Sequence, residues 1–313
     1  AHFTEHMLFK GTTTRMPGDI EREVKSYGGS INGGVSQDYA MYTLSVPYRH
    51  LGSSLLMLKD MFKNATFDET EFIKEREVIL NEINLDRDDP ERVLIRRLNE
   101  TAYTTHPYRF PPIGYRDKFT ALTRDDLIKY YKQTYVPNNM IITIAGGTDP
   151  AIALDAAADV FADFRPPDYA ERGLSRPEPM QIAPRSHREE AQVNLTYLAM
   201  GFHTTSLSSG DLYAMDVLSM VLGRADNSRL VRAVVKDKRA AHTVSAWNYT
   251  PRDPGLFVIT AITDRDTLDE AKAAILDEIE RIKKAPINDV ELMTAKRMSL
   301  SDLVFSRQTV EGM

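Results

Sequence analysis

A chain of 313 residues exceeds what one hydrophobic core usually serves, so two domains of roughly 150 residues each are expected. Its 42% hydrophobic and 27% charged residues match an ordinary globular protein, while a net charge of -6 without any Lys/Arg block excludes a general nucleic-acid binder. Cysteine is absent, which excludes disulfides, thiolate catalysis and cysteine-ligated metals, so any metal must rest on His, Asp or Glu. No apolar run reaches the ~18 residues that span a bilayer, and peptides or proteins are the expected partners.

Residues 1–10 have helical spacing, and GTTTRMPGD closes that helix before a second begins at IEREVKSYG. SINGGVSQDYAMYTLSVP follows, glycine first and then alternating at Tyr42, Leu44 and Val46, which predicts a strand or hairpin. Amphipathic helices are expected at 50–64, 68–85 and 90–102, then a proline-rich loop, THPYRFPPIGY. Helix 124–134 leads into NNMIITIAGG, expected as a buried strand, and an Ala-rich helix at 150–163. The stretch FRPPDYAERGLSRPEPMQIAP has no apolar period and predicts a linker. Beyond it come strand QVNLTYLAMGFHT, helices GDLYAMDVLSMVLG and SRLVRAVVKD, strands HTVSAWNYT and GLFVITAI, and helix 267–284. The order predicts an α+β fold of two similar domains, each a mainly antiparallel sheet flanked by helices. Residues 1–165 form the first, 166–186 the linker and 187–313 the second. A supporting strand is expected upstream of residue 1, and the last segment, SRQTVEGM, reads as an unfinished helix.

The opening segment, HFTEH, carries the chemistry. On a helix His2 and His6 emerge on one face and can hold a single cation, with Glu5 close enough to act on that cation's outer shell as a general base. A single histidine is usually structural. With seven in the chain, however, a chance H-x-x-E-H has odds on the order of one in a hundred. The pattern is H-E-x-x-H reversed, the inverzincin arrangement. Two histidines leave one protein ligand missing, and EFIKEREVILNEI offers Glu75 and Glu82, two helical turns apart on one face. One can bind metal while the other supports it. Spacing alone does not choose between them, and a glutamate-rich helix is by itself usually a solvated face.

HFTEHMLFKGT, EREVILNE, HPYRFPPIGY and YVPNNMIITIAGG together resemble the pitrilysin-type metallopeptidases, especially the bacterial and mitochondrial-processing-peptidase branch. The resemblance spans the chain and is most specific in its first 150 residues. It implies one Zn2+ per chain on His2, His6 and Glu82, a general base at Glu5 and an accessory carboxylate at Glu75. It also makes SINGGV the edge strand that pairs with an extended substrate, with Asn32, Gly33, Gly34 and Val35 against the peptide and Asn32 orienting it. Gly33 and Gly34 could equally form only a turn.

The second half departs from the family pattern. Aligning AHTV with the family's A-Y-S-V puts His242 where a tyrosine is expected and Val235 where an arginine is expected. Arg232 and Arg239 lie nearby but on other helix faces. The expected function is a zinc metalloendopeptidase acting on short or unfolded peptides, with this chain bearing zinc and a homologous subunit supplying the Arg/Tyr pair. A homodimer with an altered clamp and a scaffold with structural zinc are the alternatives. His203 is expected in packing or at the surface, DRDD at 86–89 as a solvated helix end rather than a calcium loop, and VVKDKR as a solvated face. The compartment is open. A bacterial protein of periplasm or cytoplasm is expected, with the periplasm preferred.

Overall fold

The computed structural model describes residues 1–166, 176–309 and 312. Helices α1 (His2–Leu8) and α2 (Asp19–Ser26) precede strands β1 (Ser30–Val35) and β2 (Ala40–Ser45). Helices α3 (Leu51–Asn64), α4 (Glu69–Asp88), α5 (Pro90–Ala102), α6 (Arg116–Thr120), α7 (Arg124–Thr134) and α8 (Pro150–Phe161) follow. The remainder is β3 (Thr196–His203), α9 (Leu212–Ser219), β4 (Thr243–Tyr249), β5 (Leu256–Thr263), α10 (Leu268–Lys284) and α11 (Asp289–Ser306). The fold is α+β. Among the described residues no helix is long and apolar enough to cross a membrane.

Two compact units divide the chain. One comprises Ala1–Leu85 with the described parts of Pro111–Leu174 and Ser306–Met313; the other comprises Asp86–Phe110 with the described part of Ser175–Phe305. The division therefore needs more than one cut, because residues 86–110 group with the later half. Of the linker expected at 166–186, residues 167–175 lie outside the described residues.

In the first unit the core gathers Phe3, Met7 and Leu8 of α1 with Phe72, Ile79 and Ile83 of α4 and with Phe119, Leu127 and Tyr131. Helix α1 has seven residues and no side-chain cap, so it is too short to persist alone. Burial of Phe3, Met7 and Leu8, roughly 1.5–3 kcal/mol each, holds it in place. Stronger local signals fix other helices. Asp89 accepts from the backbone of Glu91 and Arg92 ahead of Pro90 at the start of α5, and Thr123 and Asp126 form a reciprocal cap on α7. The β1–β2 pair is an antiparallel hairpin in which Gly33 faces Tyr42.

NNMIITIAGG does not form the expected strand. Pro137–Asn139 make a 3₁₀ turn, the segment after it has no strand partner among the described residues, and Ile141 is 94% exposed. Its Ile and Thr side chains suit a pleated surface, but a strand is defined by its ladder, and propensity cannot supply a neighbour.

The second unit is built on an antiparallel sheet in the order β3-β5-β4. Helix α5 packs on β3, where Leu98 sits directly over Gly201, and Tyr103 donates to the Pro254 carbonyl at 3.1 Å. The loop after α5 is held by Glu178, whose carboxylate accepts backbone N–H bonds from Thr104, Thr105 and His106 at 2.8–3.0 Å. The two helices expected before β4 are partly wider coils. Met220–Arg224 and Val231–Asp237 are π-helical, and Lys238 N–H reaches back five residues to the Ala233 carbonyl. Gly223 lets the first of these approach β4, since a Cβ there would lie 2.3 Å from the Ala246 nitrogen.

Candidate metal centre

Helix α1 presents two faces. Phe3 and Met7 enter the core, Phe3 stacking on Phe72 of α4 with ring centroids 4.9 Å apart, and this contact turns His2 and His6 toward α4. On α4 the buried residues are Phe72, Glu75, Ile79 and Ile83, a helical row in which Glu75 is the one charged member. Glu82 lies two turns beyond Glu75 and is more open, its side chain 38% exposed against 9% for Glu75.

The four side chains converge. Nε2 of His2 is 3.6 Å and Nε2 of His6 is 3.7 Å from the same Glu82 oxygen, and the donor atoms of all three residues fall within 4.8 Å of one another. Tetrahedral zinc, with ligands at roughly 2.0–2.1 Å, sets donors about 3.3–3.4 Å apart, so a small contraction would close these three on one ion. Two imidazoles and a carboxylate are also a donor set that zinc takes in sites where one position stays open. The residues present fit the metal. Glu75 is in a different position, with one oxygen 3.0 Å from His6 Nδ1 and the other 2.8 Å from Lys10 Nζ.

Electrostatics separates the roles further. Burial, helped by neighbouring His6, pushes His2 down to about 4, which keeps its ring neutral, the form that binds metal. Burial also raises the Glu5 carboxyl above its ordinary value, against the pull of His6 and with a contribution from Glu82. Glu75 is buried too, yet its hydrogen bonds to Lys10 and His6 outweigh burial and hold it below the ordinary carboxylate value.

Strand β1 runs beside Glu5. A Cβ on Gly33 would lie 2.7 Å from Glu5 Oε1 and 3.0 Å from Phe9, so the bare backbone is what lets the strand pass this close to the carboxylate. The β1–β2 sheet has two strands, which leaves β1 without a second ladder partner among the described residues. Asn32 is exposed, and its side-chain oxygen accepts the Gly33 N–H at 3.0 Å. Gly34 is exposed and Val35 half-buried. A cleft of about 320 Å³ opens here, lined by Glu5, His6, Lys10, Glu21, Gly33 and Glu75, among others.

Lys10 and Glu21 were not singled out from the sequence. The available signal for Lys10 was its place four residues after His6, but a lysine following a helix is ordinarily read as a partner for the helix dipole. Glu21, whose Oε2 is buried without a hydrogen-bond partner among the described residues, carried no signal beyond helical spacing.

Two family models cover nearly the whole chain: insulinase (peptidase family M16) over residues 1–113 and the peptidase M16 inactive domain over residues 121–299. The chain belongs to peptidase family M16. Among its M16 relatives, the Bacillus subtilis protein named "Uncharacterized zinc protease YmxG" is 28% identical over 314 residues, an alignment covering 100% of this chain and 75% of that one. An Arabidopsis thaliana protein named a probable mitochondrial-processing peptidase subunit beta is 26% identical over 314 residues, covering 97% of this chain and 59% of its own. The crystal structure of a protease from Helicobacter pylori superposes with a TM-score of 0.95 at 26% identity, over 100% of this chain and 76% of that one.

In this M16 chain the positions aligned with the family's arginine and tyrosine are otherwise engaged. Val235 packs against the core of the second unit. His242 pairs through Nε2 with Asp264 at 3.2 Å, and Arg232 and Arg239 are exposed. His203 places Nε2 3.1 Å from the Ala102 carbonyl, and within DRDD Asp86 pairs with Arg96 while Asp89 caps α5.

Proposed function

We propose that this chain is a zinc endopeptidase that hydrolyses short or unfolded peptides, with His2, His6 and Glu82 holding the metal and Glu5 moving the proton. The observation that carries the reading is the convergence of His2, His6 and Glu82 on one point, with Glu5 in the next position of the same helix. Zinc bound there supplies Lewis acidity and activates water at neutral pH. The Glu5 carboxylate accepts the proton of the attacking water at a side-chain oxygen and delivers it to the leaving amine nitrogen. Its raised affinity for protons suits both halves of that task. The free edge of β1 pairs with the substrate main chain, which selects extended peptides without reading their side chains.

The packing of half-buried Val235 against the core and the pairing of His242 support a further step: oxyanion donors come from a homologous partner with the missing Arg/Tyr pair. The test of the central reading is Glu5→Gln. The variant is expected to bind zinc stoichiometrically while peptide turnover falls by about 10²–10⁴. Normal turnover in that variant would sink the mechanism.

A further inference from the structure

We infer that Lys10 is a positioning residue for the metal centre. By tying down Glu75 it keeps the Nδ1–H of His6 donated to that carboxylate and Nε2 of His6 turned toward Glu82. The inference rests on the metal-centre reading above and adds to it a residue to which the sequence assigned no role.

Four observations carry it. Lys10 follows α1, anchored by its own N–H on the Met7 carbonyl at 3.1 Å, and its ammonium lies 2.8 Å from one Glu75 oxygen. The other Glu75 oxygen is 3.0 Å from His6 Nδ1, so one carboxylate is spanned at both ends and has no freedom to rotate away. Glu75 sits in an otherwise apolar row with Phe72 and Ile79, where a carboxylate lacking a cation would be buried unpaired. The centre has no equivalent support on its other side, because Nδ1 of His2 is buried without a hydrogen-bond partner among the described residues. Hydrogen-bonded support for the imidazole pair therefore reaches it through His6 alone, by one relay from Lys10 through Glu75. Partners of this kind fix the tautomer of a ligating histidine, and losing them typically costs 10–100-fold in metal affinity.

The experiment measures zinc affinity by chelator competition for the whole chain and for Lys10→Met, Lys10→Arg, Glu75→Gln and the Lys10→Met/Glu75→Gln pair. Circular dichroism reports folding, and Lys10→Gln stands in should the Met variant not fold. Lys10→Met is expected to weaken zinc binding by about 10-fold and Lys10→Arg by less than about 3-fold. The double variant should bind about as well as Glu75→Gln alone, because both act through one route. Wild-type affinity in a folded Lys10→Met variant, or losses that multiply in the double variant, would overturn the inference. Nitrogen NMR of histidine-labelled, metal-free protein gives a second readout. The His6 Nδ1–H tautomer should dominate in the wild type and mix in Lys10→Met, and an unchanged tautomer would also overturn the inference. A wild-type chain that binds no zinc would refute the metal-centre reading, and the tautomer measurement would still decide the role of Lys10.

Discussion

Glu75 and Glu82 share a helix face, but their surroundings assign them different work. Glu82 meets both Nε2 atoms, whereas Glu75 is spent on His6 Nδ1 and Lys10. Glu82→Gln is accordingly expected to lose zinc on equilibrium dialysis, while Glu75→Gln should still fill its site when zinc is in excess but cleave peptide poorly. Metal loss confined to Glu75→Gln would reverse the assignment. The sequence offered both glutamates through their seven-residue spacing and left the choice to family resemblance; the distances in the structure distinguish them. Lys10 and the contact between Gly33 and Glu5 were illegible for a different reason. Each depends on which segments meet across the fold, one pairing residue 10 with residue 75 and the other bringing a strand against α1.

Helices with amphipathic periods and strong N-terminal caps were legible at the level of elements, since α5 and α7 owe their starts to Asp89 and to the Thr123–Asp126 pair. The π-helical turns were not, because one extra residue per turn leaves no mark in an apolar pattern that short. One of these turns runs into Arg239, whose φ of 52° is left-handed. A side chain there costs about 1–2 kcal/mol, partly offset by the extra freedom glycine has when unfolded, so Arg239→Gly should stabilise by roughly 0.5–1 kcal/mol in denaturant unfolding. Arg239→Val should destabilise. Glu178 holds the loop after α5 in a similarly local way. Burial alone would raise its carboxyl, but the N–H donors of His106, Thr105 and Thr104 outweigh it and hold the group down to about 2, against an ordinary 4.5. A lowered folded value means a contribution fully present above about 4.5 and lost as pH falls through about 2. Glu178→Gln should therefore be less stable than wild type at pH 7, on the order of 1–3 kcal/mol. Parallel unfolding curves taken at successively lower pH should bring the two proteins together as pH 2 is approached.

For the molecule as a whole, the α+β class was legible from the alternation of strand and helix patterns. The grouping of residues 86–110 with the later half was not, because helix α5 is amphipathic whichever sheet it covers. The second unit carries Val235 and His242 where donors are expected, and missing oxyanion donors typically cost about 10²–10³ in rate each. The chain alone is thus expected to bind zinc and cleave peptides slowly. A homologous subunit with the arginine and tyrosine should restore turnover, with native mass spectrometry identifying the complex. Full activity from the isolated chain, unchanged by any such subunit, would defeat the division of labour.

Two of the donors facing Glu82 come from α1, at the opposite end of a long stretch of chain from α4. An ion gripped by both helices is then a removable cross-link as well as a reagent. It fastens the two ends of a large loop, and because the unfolded chain does not gather these donors, binding adds directly to the free energy of folding. On the proposed zinc reading, scarcity of the metal would do more than remove the reagent: it would loosen the seam between α1 and α4, so that metal supply would set how long the protein survives as well as how fast it cleaves peptide.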